Sequence, residues 1–260
     1  MAPPFRCFGL LIVGLACLVP AITRAAAPDP AVAHGKKVLF VFNSTKLERT
    51  RAAQPADPVR LGKLETQRDS DRKLAALLES LGFVVTLADE TSPLAAAEDK
   101  DLVVISETVD ALDIGAKYRQ LAVPLIDCEN DLLGDLGMTG QKNGRDYGTD
   151  EDQRFLWVVN SPHPLAAGLA PGVQNVLVDE HGKMNWGKPG LGAVTIATLR
   201  GEPDKAAIFA YEKGATMNWE AIAPARRVSF FLWSDTFLQL RPEGLALFKA
   251  AVLWAVSPSN

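Results

Sequence analysis

Lys37 to Phe42 reads KVLFVF, six residues in which aliphatic, β-branched and aromatic side chains follow one another with no polar alternation. A strand with one wet face alternates, whereas a strand covered on both faces runs continuously apolar. The stretch therefore predicts a strand buried inside a parallel sheet. Asp101 to Ser106 (DLVVIS) and Val123 to Asp127 (VPLID) repeat the pattern, and Phe83 to Leu87 (FVVTL) supplies a further strand. Between them, Leu74, Leu77, Leu78 and Leu81 recur at helical spacing, with Ser70 or Asp71 as the expected N-cap and Gly82 as the stop. Residues 110–121 read as a second helix and Asn130 to Met138 as a short third one, closed by Gly137 or Gly140. Strands alternating with helices over about a hundred residues imply βαβ units and a mainly parallel sheet with helices on both faces.

Outward from this core the pattern loosens. Asn43 to Thr66 is polar and aperiodic, and reads as a long loop at the carboxyl end of the first strand. Downstream, Leu156–Val159, Val176–Val178, Val194–Leu199, Ala206–Tyr211 and Arg227–Leu232 read as strands. Their connections are short, so some of these strands are expected to be antiparallel. Arg226-Arg227 opens the last of them and reads as a surface pair. Pro242 and Glu243 begin a final helix through Leu245, Phe248, Val252 and Trp254. The expected fold is a three-layer α/β/α sandwich whose central sheet is mainly parallel, with some antiparallel strands in the C-terminal half.

The first residues follow other rules. Arg6 is the only charge before Arg24, Phe8 to Val19 is apolar, and Thr23, Ala25, Ala26 and Ala27 are small. This is the layout of an export signal, expected to be cut after Ala25, with a membrane anchor as the other reading. Residues 26–35 (AAPDPAVAHG) read as a flexible tether, leaving 36–257 as one domain. Removing residues 1–25 takes away two arginines and no acids, so the net charge becomes 25 minus 31, or −6. An acidic chain without a basic cluster argues against nucleic-acid binding. No later stretch approaches the roughly 20 apolar residues of a membrane span. Cys7 and Cys17 leave with the signal, so Cys128 has no partner for an intramolecular disulfide.

In parallel α/β sheets, ligands bind at the carboxyl ends of the strands. Asn43 and Ser44 end the first strand, and Ser106, Glu107 and Thr108 end the third; each group can face a cleft or cap a helix. Glu129 follows the fourth strand, where a carboxylate at a helix start is both stabilised and presented, or serves as a cap. His163, between Pro162 and Pro164, can move protons or shape its loop. Asp179-Glu180-His181 cannot aim three adjacent side chains at one ion from a strand, so no metal site is expected, and no cofactor is implied. Trp186, Trp219 and Trp233 can stack on sugar rings or anchor the core.

Three stretches, VPLIDCENDLLGDLGMTG (123–140), NSPHPLAAGL (160–169) and ARRVSFFLWSDTFLQLRPEGLALFKAAVLWA (225–255), resemble the class I glutamine amidotransferase-like superfamily. The particular likeness is to ThuA-like proteins and related secreted bacterial domains; Asp179-Glu180 resembles their downstream acidic pair. The resemblance implies a flavodoxin-like fold and a nucleophile turn at Cys128. An amidotransferase cysteine sits on a strained, glycine-flanked turn beside a helix N-terminus that lowers the thiol pKa. Here Ile126 and Asn130 stand where the glycines would, Asp127 and Glu129 oppose thiolate formation, and the late His-x-Glu pair is missing. The expectation is a non-catalytic domain that binds a small polar or carbohydrate ligand, or a partner protein. Its expected site is Asn43, Ser44, Ser106, Glu107, Glu129 and His163. The alternative is a hydrolase using Cys128 or Glu129 as the reactive group.

Overall fold

In the computed structural model, which describes residues 27–53 and 57–258, KVLFVF is strand β1 (Lys37–Phe42), and its inner positions are buried. It pairs in parallel with β2 (Val84–Asp89) on one side and β3 (Leu102–Ile105) on the other. β4 (Leu125–Asp127) and β11 (Arg227–Phe230) extend the parallel half. The sheet then turns antiparallel through β10 (Glu202–Tyr211), β9 (Val194–Leu199), β6 (Phe155–Val158) and β7 (Gly172–Asn175). β5 (Tyr147–Asp150) and β8 (Met184–Gly187) pair with each other, and β8 also touches β10. The expected mixture of parallel and antiparallel strands is present. The expected strand over 176–178 instead lies at 172–175, with only Leu177 bridging, to Leu240.

Two separate apolar cores lie on the two faces, as alternate residues of each buried strand require. Val38, Phe40, Val104, Ile126, Val228 and Phe230 face helices α2 (Pro58–Ser80) and α4 (Pro242–Val256). Leu39, Val41, Val103, Ile105 and Leu125 face Ile114, Tyr118, Leu121, Leu132 and Leu136. That second cover differs from the expected helical layer. The helix foreseen at 110–121 is the single turn α3 (Ala111–Ile114), stopped by Gly115 at φ +49°, and the one foreseen at 130–138 is a 3-10 turn over Asn130–Leu132.

The long loop expected over 43–66 is largely helical. α1 (Lys46–Ala52) leaves β1, and α2 starts at Pro58, where the Asp57 carboxylate accepts the N–H groups of Val59 and Arg60. Asp-Pro at a helix start is a legible cap. The helix leaves little apolar pattern because its first half stands proud of the core and exposes polar side chains. Ser70 and Asp71 are therefore not a cap; both are buried in the middle of α2. The segment expected to be a tether is docked from Pro30 to Ala33, with Ala33 in the core. The expected export signal lies outside the described residues. Among those residues, no helix is long and apolar enough to cross a membrane.

Arg226 and Arg227 are not a surface pair: both are buried. The Arg226 guanidinium reaches Glu212 at 2.8 Å and the Trp254 carbonyl at 2.6 Å. Arg227 donates to the carbonyls of Val123, Arg226 and Leu121 at 2.9, 3.1 and 2.5 Å. The main-chain carbonyls of Leu121 and Val123, on the chain entering β4, and of Arg226 supply the partners that make its burial tolerable.

Candidate functional site

The carboxyl ends of β1, β3, β4 and β11 converge on a group of carboxylates. Asn43, leaving β1, donates its amide to Glu90 Oε1 at 2.7 Å, while its carbonyl oxygen accepts the N–H of Lys46 at 2.8 Å and so opens α1. Ser44 Oγ donates to Asp89 Oδ2 at 2.6 Å. These contacts fasten the end of β1 to the end of β2. Beyond β3, Ser106 Oγ and Thr108 Oγ1 donate to the two oxygens of Asp71 at 2.5 and 2.8 Å. Burial pushes the Asp71 carboxyl up to about 6 against the pull of those two hydroxyls.

Glu107 turns the other way and accepts the Ser234 N–H at 2.6 Å. Ser234 follows β11 in a left-handed conformation (φ +50°), and Gln67 donates to its hydroxyl at 2.9 Å. Burial raises Glu107 to about 8; the Ser234 N–H and the charge of Lys63 oppose that rise, while Asp71 adds to it. Lys63 and Lys183 stand over the ring of Trp233 at 5.1 and 4.8 Å.

The turn after β4 carries Asp127, Cys128 and Glu129, all buried. Asp127 Oδ1 accepts the Glu129 N–H at 3.2 Å, and its Oδ2 has no partner among the described residues. Glu129 Oε1 accepts the Asp131 N–H at 2.9 Å and so caps the 3-10 turn. Burial raises both carboxyls well above the usual range, and the neighbouring charge of Glu107 adds to the rise at Glu129. Cys128 is 2% exposed. Burial pushes its thiol far up, and Asp127, Glu107, Asp71 and Glu129 push it further. A thiolate at this turn is disfavoured by every group that surrounds it.

Glu129 also borders an open cleft of about 580 Å³, together with Lys46, Asp110, Asp131, Asp135 and Tyr147. Asn43 lines a narrow crevice of about 10 Å³ with Ser44, Asp71 and Thr108, and Ser44 and Asp71 also border a separate cavity of about 410 Å³ walled by Phe40, Phe42 and Arg72. Asn43, Ser44, Ser106, Glu107 and Glu129 all lie at the carboxyl ends of the strands. His163 does not lie with them. Its ring lies 5.4 Å from Trp254, whose carbonyl binds Arg226 just before β11 begins, so it sits at the amino end of the parallel strands. There its Nδ1 accepts the Leu165 N–H at 3.2 Å and caps a 3-10 turn, and burial lowers its pKa. Pro162 and Pro164 fix a loop far from the cleft.

Sequence reasoning missed Lys46, Asp110 and Tyr147 in the cleft and Asp71 behind Ser106 and Thr108. Lys46 and Asp71 follow once the Asp57-Pro58 cap is read, because α1 and α2 are then seen to cross the strand ends. Nothing local marks Tyr147. Trp186 is buried in β8, Trp233 is half-buried beside Glu107, and Trp219 is exposed elsewhere. Asp179 and Glu180 are exposed, and His181 pairs with Asp152 at 2.7 Å.

No family model matches the chain, and no curated protein matches it. Solved structures do. A ThuA-like protein from Bacteroides uniformis superposes with a TM-score of 0.51 at 12% identity, over 86% of this chain and 93% of that one. A GMP synthase component from Thermoplasma acidophilum matches over 85% and 94% at 12% identity, with a TM-score of 0.45. The fold of this chain is similar to that of the ThuA-like protein. At this identity the likeness extends to the fold alone.

Proposed function

We propose that this domain is an exported binding module of amidotransferase-like fold that takes a small polar ligand, a carbohydrate first of all, in the cleft beside Glu129. The observation that carries the reading is the contrast between two neighbours on one turn. Cys128 is sealed beneath carboxylates that suppress its thiolate, whereas Glu129 borders an open cleft of about 580 Å³. Lys46 offers donors there, and Asp110, Asp131, Asp135 and Tyr147 offer acceptors and an aromatic edge. Asp110, Asp131 and Asp135 against the one ammonium of Lys46 favour a neutral polyhydroxylated ligand over an anion.

Calorimetric titration of the protein with neutral mono- and disaccharides tests this reading. At least one sugar should bind, and Glu129→Gln should weaken it about tenfold, the effect of disturbing one buried hydrogen bond. An absence of heat with every sugar would remove it. Export is tested separately by the N-terminal residue of the protein recovered from cells, expected at position 26.

One observation favours a second reading, a hydrolase. Glu107 and Glu129 adjoin each other with raised pKa values, and a carboxyl still protonated near neutrality is what a general acid requires. Release of a chromogenic leaving group from glycosides, abolished by Glu129→Gln, would select this reading.

A further inference from the structure

β2 is an edge strand of the sheet, and α2 leaves part of it uncovered. Leu87 on β2 stands beside Phe40 on β1 in the parallel register, so both side chains point to the face that α2 covers. Phe40 is 1% exposed there, whereas Leu87 is 59% exposed. The helix turns Leu74 and Leu78 into the core, but towards Leu87 it offers only Ala75 and Ala76. Side chains of one carbon cannot close the gap. Between helix and strand edge lies the cavity of about 410 Å³, inside the range of about 300–1,000 Å³ that ligand pockets occupy. The rings of Phe40 and Phe42, stacked 5.7 Å apart and 11° from parallel, wall its inner side.

The two ends of this cavity differ in charge. Arg68, Arg72, Ala76 and Glu79 recur at helical spacing and form one stripe along α2. Arg68 and Arg72 stand at the end near Ser44, where β1 finishes, and Glu79 stands at the other. Arg72 and Glu79 lie roughly 10 Å apart along the helix axis, at ~1.5 Å a residue, which is the reach of a medium-chain acyl group. Arg68 donates to Glu48 at 2.7 Å and Arg72 to Asp69 at 3.3 Å, each through Nη1 alone. Their remaining guanidinium nitrogens have no partner among the described residues. The carboxylates at the same end are already engaged. Asp71 accepts from Ser106 and Thr108, and Asp89 from Ser44 and Thr91. An incoming carboxylate therefore finds free planar donors at one end and apolar surface beyond them.

From this arrangement we propose that the cavity binds a small amphipathic carboxylate. Its head lies on Arg68 and Arg72, and its apolar body lies between the Phe40–Phe42 wall and Ala75–Ala76. The cavity shares no lining residue with the cleft beside Glu129, so this is a second site, whatever the cleft takes.

Equilibrium dialysis of the full-length protein against radiolabelled octanoate tests the proposal. Saturable binding is expected. Arg72→Gln should weaken it about tenfold, the scale of one charge-assisted hydrogen bond. Ala76→Leu fills the cavity from the helix side and should weaken it tenfold or more. Both positions are exposed, so both variants should fold like the parent. Unlabelled octylamine, with the same apolar body and the opposite charge, should fail to displace octanoate. An absence of saturable binding, an affinity unchanged by either substitution, or ready displacement by octylamine overturns the proposal.

Discussion

The side-chain amide of Asn185 donates to the main-chain carbonyl of Cys128 at 3.0 Å, and the same nitrogen donates to the Leu232 carbonyl at 2.7 Å. One buried amide on β8 thus ties the turn after β4 to the turn after β11. Thr149 Oγ1 donates to the Asn185 carbonyl oxygen at 2.6 Å and fixes which way the amide points. The two turns carry Glu129 and Ser234, so this clamp sets the spacing of the candidate site. Asn185→Ala leaves two buried carbonyls unpaired and should cost about 2–4 kcal/mol of stability. Urea unfolding measures it, and a loss under about 0.5 kcal/mol, the range of an uninvolved surface change, would contradict the clamp.

Cys128 should be inert. With its thiol buried and its ionisation opposed by four carboxylates, iodoacetamide at neutral pH should leave Cys128 unmodified in native protein and label it in urea. Peptide mass spectrometry separates it from Cys7 and Cys17. Rapid labelling in the native state would mean that the turn opens and would revive a thiol mechanism.

The parallel half of the sheet was legible because burial on both faces leaves a local mark, an unbroken apolar run. β5 (YGTD) and β8 (MNWG) carry no such mark. They are short, contain glycine, and are strands because they pair with each other. The same limit hid Asp71 beside the site and Arg227 at the far end of the sheet. Both look like surface residues in their own neighbourhoods, but Ser106 and Thr108, the partners of Asp71, lie 35 and 37 positions away, and Val123 and Leu121, two of the three partners of Arg227, lie 104 and 106 away. Glu129 was legible because its role as a cap depends only on the residues that follow it.

Stability should fall as the pH rises from about 5 to about 8.5. Burial holds Glu107 at about 8 and Asp71 at about 6, both above their ordinary values. Each carboxyl therefore binds its proton more tightly in the folded state. Its contribution is complete below the unfolded pKa near 4 and is lost as the pH climbs through the folded value. His163, lowered by burial, acts in the opposite sense below its ordinary range, so the informative quantity is a difference. Glu107→Gln keeps the acceptor for the Ser234 N–H and removes the titration, and should flatten the curve of melting temperature against pH. Parallel curves for the two proteins would show that Glu107 titrates normally.

Arg227 offers the sharpest test of how a buried charge is tolerated here. Its side chain has no exposed surface and no carboxylate partner among the described residues; carbonyls of Leu121, Val123 and Arg226 surround it, and burial lowers its pKa to about 10. Two nitrogens of one planar fork reach carbonyls on either side of the chain entering β4. A lysine keeps the charge but compresses the donors to a single point, and cannot hold both carbonyls in that geometry. Arg227→Lys should therefore cost about 1–3 kcal/mol, the scale of a buried acceptor left unpaired. Arg227→Ala should cost more, about 3–5 kcal/mol, because it adds a cavity to the loss of all three bonds. Urea midpoints order the three proteins. If lysine proves as stable as arginine, the charge alone matters; if alanine does, the carbonyls find water, and β4 does not depend on Arg227 for its start.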